Sequence, residues 1–179
     1  GAYFDKLPVN SLDQLLKFIP GVEVQSRGPL GAQSDISLRG STFQQVLVIL
    51  DGIRINDPNT GHFSGYIPIT PAQIDRIEVL KGAASSVYGA DAVGGVIHII
   101  TKVFNADKQK NNLQAHAQVG VGGYDLLTTH AGGFYKNKIM AVDAGLLTNH
   151  TKGVQQRGIR GYNNNSTASV GLNIHATKN

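Results

Sequence analysis

The stretch IEVLKGAASSVYGADAVGGVIHIITK, residues 77–102, joins two apolar runs through a segment built almost wholly of Gly, Ala, Ser and Tyr. Short continuous apolar runs, here Ile77–Leu80 and Val96–Ile100, favour buried strands. Small residues at this density allow a backbone to approach another group closely. That group could be a phosphate, a small ligand or another surface of protein.

Nucleotide-binding templates do not fit this stretch. A phosphate loop needs Gly, four residues and then Gly-Lys-Ser/Thr. The fifth residue after Gly82 is Val87, and no Lys-Ser/Thr pair follows it. The spacing of Gly89, Gly94 and Gly95 also differs from the dinucleotide fingerprint, and the similar run GVGGYD at 120–125 ends in Asp instead of Gly. The sequence therefore predicts no nucleotide site.

No catalytic or metal-binding constellation is apparent either. Ser85 and Ser86 lie outside any Gly-x-Ser-x-Gly elbow, and Asp51 precedes Gly52, which predicts a turn residue. The absence of cysteine excludes disulfides and thiolate metal sites. Histidines are scattered without a helical metal spacing, at His62, His98, His116, His130, His150 and His175. We therefore predict that the chain is not an enzyme and has no metal and no cofactor.

Composition sets only broad limits. The 179 residues are 41% hydrophobic, which is enough for a packed core, and glycine is frequent at 22 residues. The net charge of +4 is spread over a chain with only 16% charged residues. This charge is too diffuse to indicate a partner, and we predict no nucleic-acid binding.

The pattern of the chain changes at a polar segment, KVFNADKQKNN, residues 102–112. Before it, the apolar runs are short and varied, and NSLDQLLKF, residues 10–18, indicates a helix with Asn10 or Ser11 as its cap. After it, apolar residues alternate with polar ones from Leu113 to Val121 and again in 128–135, 139–148 and 167–176. Alternation joined by the short YKNK and the long 151–165 connection is typical of a transmembrane β-barrel. An ordinary antiparallel sheet with one apolar face is the alternative.

Four motifs in order carry a resemblance to a known family. They are SLDQLLKFIPGVEVQSRG (11–28), ISLRG (36–40), VLVILDGIRIND (46–57) and IDRIEVLKGAASSVYGADAVGGVIHIITK (74–102). With them the chain resembles the N-terminal part of TonB-dependent outer-membrane receptors of the cobalamin and ferric-siderophore type. Receptors of the starch-utilisation type usually carry Asp where Gly82 follows Lys81, and Ala-Asn-Gly near the segment 91–95, which here is DAVGG. The glycan-importer alternative is thereby less favoured.

The resemblance implies an α+β plug domain, a small mixed sheet with short helices, followed by the start of an antiparallel transmembrane β-barrel. We expect the plug at residues 1–102, a linker at 103–112, and about four strands of a truncated barrel at 113–179. The family's barrel has about 22 strands. Because four strands leave open edges, we expect the barrel portion to be disordered, swapped between copies or abnormally paired.

The resemblance also implies a function in the cell outer membrane. The plug would gate the barrel lumen and help to bind a scarce nutrient, a ferric siderophore or a cobalamin. Partners would be TonB, through an N-terminal segment that is not recognisable in this sequence, the small-molecule substrate, and outer-membrane lipid around the barrel. The alternatives are the glycan-importing receptor and a non-transporting structural or adhesive outer-membrane β-protein.

Two loops match the family's plug loops that face outside, at 26–33 and 56–66. Substrate contacts are expected from Arg27, Gln33, Asn56, Asn59, His62, Phe63 and Tyr66. Ordinary surface turns are the alternative for each loop. Within the long connection 151–165, Lys152, Arg157 and Arg160 occur without any acidic residue, which favours an anionic substrate.

A second role is implied for basic residues of the plug strands. In the family such residues pair with carboxylates of the inner barrel wall and lock the two domains together, here Arg39 and Lys81. An unpaired buried ion is costly, so each would need a partner. Glu78 could instead pair with either of them inside the plug. The opening stretch, with Gly82, Ala83, Ala84, Gly94 and Gly95, is then predicted to be a tightly packed seal.

Overall fold

The computed structural model describes residues 9, 11–27, 33–57, 60–61, 63–64, 69–82, 85–108, 113–152 and 165–176. Two short helices are α1 (Leu12–Leu16) and α2 (Ser85–Tyr88). The plug strands are β1 (Val22–Ser26), β2 (Gln33–Leu38), β3 (Val46–Leu50), β4 (Ile53–Arg54), β5 (Phe63–Ser64), β6 (Ile74–Lys81) and β7 (Gly95–Thr101). Four longer strands follow, β8 (Leu113–Gly122), β9 (Leu126–Lys136), β10 (Met140–Thr151) and β11 (Asn165–Ala176). No helix among the described residues is long and apolar enough to span a membrane.

The centre of the plug is a four-stranded mixed sheet in the order β4-β3-β7-β6. β3 and β7 are parallel, and the other two pairs are antiparallel. The runs VLVIL and VIHII are apolar without alternation because both of their faces are covered by protein. Val48, Ile97 and Ile99 face a core that includes Leu15 and Leu38, and a smaller cluster on the opposite face contains Leu47, Ile49, Ala92 and Val96.

Helix α1 confirms the capped helix expected from the sequence. The Ser11 hydroxyl accepts a hydrogen bond from Gln14 N at 3.4 Å, which satisfies one of the free amides of the first turn. Leu12, Leu15 and Leu16 are buried in the plug core. The chain then enters β1, which pairs with β2, and β5 extends this second sheet in the order β1-β2-β5.

The Asp51-Gly52 turn between β3 and β4 is also confirmed. Both residues have positive φ, 49° and 86°, as a tight two-residue hairpin requires. The Asp51 carboxylate accepts hydrogen bonds from the Thr101 backbone N at 2.8 Å and from the Thr101 hydroxyl at 2.7 Å. Asp51 therefore ties the turn to the end of β7 and has a structural role.

Strands β8–β11 form a regular antiparallel sheet in sequence order, and we call this sheet the wall. In β10 buried and less buried residues alternate, so one face packs on the plug. The other face is mainly apolar, although Thr129, Thr148 and His150 also lie on it, and it carries Leu113, Ala115, Ala117, Val119, Val121, Leu127, Tyr135, Leu146, Leu172 and Ile174. Among the described residues each wall strand pairs with its sequence neighbour in a continuous antiparallel register, so the expected abnormal pairing is not found there, whereas disorder or swapping between copies stays a prediction.

The first part of the expected linker is packed against the wall. Residues 102–105 form turns and Ala106–Lys108 a 3-10 helix. Val103 and Ala106 pack with Phe134 and Ala141 of the wall, and the Lys136 ammonium donates to the Ala106 carbonyl at 3.0 Å. Residues 109–112 lie outside the described part. The domain boundaries at 102 and 112 stay a prediction.

The small-residue stretch is tightly packed at its end, whereas the described residues 86–90 are exposed and a Cβ on Gly82 would meet nothing within 4 Å, so the expected seal is wrong for this middle part. A Cβ on Gly95, whose φ is +147°, would overlap the Leu80 carbonyl and lie 2.7 Å from Leu38 Cδ1. A Cβ on Gly94 would lie 2.5 Å from the Ser41 hydroxyl. These contacts confirm close packing against plug strands at the two glycines. Ala83 and Ala84 lie outside the described residues.

Candidate functional site

An open cavity of about 530 Å³ lies beside the β1-β2 pair. Strand β1 supplies Glu23, Val24 and Gln25, β2 supplies Asp35 and Ser37, and the segment before β3 lines one side. The lining residues are Glu23, Val24, Gln25, Arg27, Asp35, Ser37, Ser41, Thr42 and Phe43. The cavity includes the beginning of the first loop expected to contact substrate, and its side chains are mainly polar.

The charged centre of this cavity is an ion pair. Arg27 Nε donates to Asp35 Oδ2 at 2.5 Å, and the Asp35 side chain is only 8% exposed. The Arg27 side chain is 54% exposed, so much of the guanidinium stays accessible. Because the guanidinium has five donors in a planar fork, it can hold Asp35 and still bind an anionic group.

Side-chain hydrogen bonds join Ser26, the residue before Arg27, to helix α1 and to the residue that follows this helix. The neighbouring Ser26 hydroxyl donates to Asp13 Oδ2 at 3.0 Å, and Lys17 Nζ donates to that hydroxyl at 3.3 Å. Asp13 is almost fully buried at 2% exposure. The cavity rim is therefore anchored to the first helix of the plug by side chains.

The structure brings the two expected substrate loops together. Gln33 pairs with Ser64 and Ser34 pairs with Phe63, which places the end of the first loop beside the second. The side chains of Gln33 and Phe63 lie outside the described part, as do the whole residues Asn59, His62 and Tyr66. Their contacts with substrate stay predictions.

Asn56, another expected substrate contact, is buried and bonded to the backbone of β3. It is 8% exposed, and its Oδ1 accepts from Val48 N at 2.6 Å. Its Nδ2 donates to the carbonyls of Val46 at 3.0 Å and Gly61 at 3.3 Å. A substrate contact by this amide would have to replace bonds that complete the edge of β3. The expected role of Asn56 stays a prediction, and its structural role is an additional finding.

The lock candidates lie at the surface of the plug. Arg39 follows β2 with φ +53° and is exposed, and Lys81 ends β6. The Lys81 ammonium lies 3.4 Å from where a Cβ on Gly21 would be. Glu78 pairs with Arg76, whose Nε donates to Glu78 Oε1 at 2.7 Å. This hydrogen bond lowers the pKa of Glu78. Pairing of Arg39 or Lys81 with the barrel stays a prediction.

The structure also contains a buried contact between plug and wall that the sequence analysis did not predict. Gln73 Nε2 donates to Asp143 Oδ1 at 2.5 Å, across 70 positions of sequence. Asn173 Nδ2 donates to the same oxygen at 2.9 Å. The sequence signal for this contact is Asp143 at a plug-facing position of β10, because a buried carboxylate requires hydrogen-bond donors nearby.

Comparison with known proteins agrees with this architecture. The model of the family described as TonB-dependent Receptor Plug Domain matches residues 2–96, more than half of the chain. The chain is 41% identical over 125 residues to the vitamin B12 transporter BtuB of Vibrio vulnificus (strain YJ016), covering 69% of this chain and 19% of that protein. It is 34% identical over 160 residues to BtuB of Vibrio cholerae (strain M66-2), covering 89% of this chain and 25% of that protein.

Solved structures share the fold at lower identity. The ferric yersiniabactin uptake receptor FyuA from Yersinia pestis aligns with a TM-score of 0.66 and 21% identity, covering 93% of this chain and 26% of that one. The FrpB iron transporter from Neisseria meningitidis (F3-3 variant) aligns with a TM-score of 0.67 and 20% identity, covering 98% and 28%. The chain therefore spans about a quarter or less of the curated relatives described above.

Proposed function

Since this chain belongs to the TonB-dependent receptor plug domain family, we propose that it forms the gate and the first wall strands of a longer outer-membrane active transporter. The plug blocks the lumen at rest and takes part in binding one scarce nutrient. TonB supplies the energy that rearranges the plug. The glycan-importing and adhesive alternatives are not favoured by the relatives.

The observation that carries this proposal is the division of the wall into two unlike faces. The plug-facing side holds polar and small residues such as His116, Gln118 and Gly132, and its apolar residues Phe134 and Leu147 are buried. The opposite side is an apolar surface with residues such as Val119 and Val121, 68% and 83% exposed. An apolar exterior around a polar interior is the arrangement of an outer-membrane barrel, which supports lipid contact and an outer-membrane location.

For the substrate we propose a corrinoid of the cobalamin type first and a ferric siderophore second. The relatives at 34–41% identity are named vitamin B12 transporters. The iron and siderophore receptors are similar in fold at about 20% identity. The accessible guanidinium of Arg27 at the cavity supports recognition of an acidic or phosphate-bearing group in either case.

The test is uptake by cells that produce the full-length receptor containing this chain. Labelled cobalamin and a labelled ferric siderophore are supplied separately, with and without TonB. TonB-dependent uptake of cobalamin is the expected result. TonB-dependent uptake of the siderophore alone would mean that the substrate is a ferric siderophore. Uptake of neither compound would refute the proposal that the receptor is a transporter of this kind.

Arg27→Ala tests the contribution of the cavity. We expect substrate binding to weaken about 10-fold, because a hydrogen bond to a charged group is lost. Arg54→Ala is the matched control, since the Arg54 side chain is similarly exposed and pairs with Asp91 away from the cavity. Equal substrate affinity of both variants in an equilibrium titration would show that Arg27 does not contribute to substrate binding.

A further inference from the structure

The turn that leads into β6 is buried between the plug and the wall. Residues Pro71–Gln73 form a single 3-10 turn after Thr70. Gln73 Oε1 accepts from Thr70 N at 2.8 Å and from the Thr70 hydroxyl at 3.3 Å. Thr70 and Gln73 are each 1% exposed. The hydrogen bonds between Thr70 and Gln73 therefore fix the conformation of the turn independently of the wall.

Its polar contact with the wall is a hydrogen bond to a buried carboxylate. Gln73 Nε2 donates to Asp143 Oδ1 at 2.5 Å, and Asp143 is 1% exposed. Asn173 on the next strand donates to the same oxygen at 2.9 Å, which holds the carboxylate in place. A hydrogen bond to a charged acceptor in a dry environment is stronger than one between neutral groups.

Its steric contact with the wall is a notch made by two glycines. Gly132 of β9 and Gly145 of β10 are direct cross-strand partners. A Cβ on Gly145 would overlap the Thr70 hydroxyl and lie 2.8 Å from Gln73 Oε1. A Cβ on Gly132 would lie 2.5 Å from His116 Cε1 of the wall and 2.9 Å from the Ala72 Cβ of the turn. The notch therefore has room for the turn only because both residues lack side chains.

The turn is also joined to the end of the plug sheet. Lys102 N donates to the Gln73 carbonyl at 2.9 Å, directly after β7. Val103 and Ala106 then pack with Phe134 and Ala141 of the wall. The turn and the end of β7 therefore meet the wall side by side.

We propose that the turn Thr70–Gln73, seated in the Gly132–Gly145 notch and bonded to Asp143, is the seam that keeps the plug on the wall in the resting gate. The seam sets the resting permeability of the pore, and in this it rests on the proposed function. It contains no ion pair. Salt will therefore affect it less than an exposed ion pair such as Arg76–Glu78, because dissolved ions screen exposed charges most.

The test uses the full-length receptor with Gly145→Ala, reconstituted in liposomes without TonB or substrate. Gly133→Ala is the matched control, because Gly133 is the next residue of β9 and a Cβ there would meet only the Gln114 carbonyl at 3.8 Å. The first measurement is hydrogen exchange of the Gln73 and Lys102 amides. The second is release of a small hydrophilic dye from the liposomes at low and high salt.

We expect Gly145→Ala to raise exchange and dye release at least about 10-fold at both salt concentrations, and Gly133→Ala to leave both unchanged. Gln73→Met is a second variant that keeps the volume of the side chain and removes both the donor to Asp143 and the acceptor for Thr70. Loss of such a bond raises the detached population about 10- to 100-fold. If Gly145→Ala fails to fold, the same two measurements on Gln73→Met test the proposal.

Two outcomes would overturn the inference. One is exchange and dye release in both seam variants that equal those of the wild type. The other is an equal increase in Gly133→Ala, which would mean that any added methyl group loosens the wall. A receptor that imports no substrate would refute the proposed function, whereas the amide exchange still reports on the seam itself.

Discussion

The central strands of the plug sheet and the strands of the wall differ in their burial patterns. In β7 six of the seven residues are buried, and the remaining one is intermediate. In β10 buried residues occur at every second position. Strand β7 has protein on both faces, whereas β10 has the plug on one face and an apolar surface on the other. The hydrophobic period of a strand therefore reports how many of its faces protein covers.

The largest expected effect tests the doubly covered sheet. Ile97 is 0% exposed and lies in the plug core, so Ile97→Ala should lower the free energy of unfolding of the plug by about 2–5 kcal/mol. Ile53→Ala, at a residue that is 71% exposed on β4, should change it by less than about 0.5 kcal/mol. Urea titration followed by hydrogen exchange of the β3 and β7 amides in the full-length receptor measures both. Equal effects would mean that the plug sheet is not covered on both faces.

The next effect tests the two faces of the wall. Ala117 points away from the plug, and the adjacent Gln118 points to the plug side. Ala117→Lys should destabilise the receptor in phospholipid vesicles by about 2–4 kcal/mol if it lies near the centre of the bilayer, whereas Gln118→Lys should be nearly neutral. Unfolding titrations in vesicles measure the difference. A larger cost for Gln118→Lys would reverse the assignment of the faces.

The smallest effect concerns an exposed ion pair on the edge strand of the plug sheet. The hydrogen bond from Arg76 lowers the pKa of Glu78. The pair therefore stabilises the plug above the ordinary pKa of a glutamate, and this stability is lost as the pH falls through the lowered pKa of Glu78. Because the Glu78 side chain is 54% exposed, Glu78→Gln should cost no more than about 1 kcal/mol at neutral pH.

Stability measured between pH 7 and pH 3 in low salt checks this prediction. The difference between the wild type and Glu78→Gln should shrink towards acid, and it should also shrink in high salt because ions screen the exposed pair. A difference that grows towards acid would contradict the sign of the pKa change.

Local features of this protein could be predicted from the sequence. A helix cap at Asn10 or Ser11, the Asp51-Gly52 turn and the alternation in 113–121 each depend on residues a few positions apart. Their energetics are local, since a cap, a positive φ or an exposed face needs no distant partner. The four ordered motifs also sufficed for the family, because together they cover most of the plug.

The pairing of strands and the side-chain contacts between separate segments could be seen only in the tertiary structure. The parallel pairing of β3 with β7, the bond of Arg27 to Asp35 and the contact of Gln73 with Asp143 join residues that no local pattern connects. Asn56 illustrates the difference, because an amide in a polar loop resembles a substrate contact until its hydrogen bonds to β3 are seen. A sequence states which groups need partners, and packing of the whole chain decides which partners come within hydrogen-bond distance.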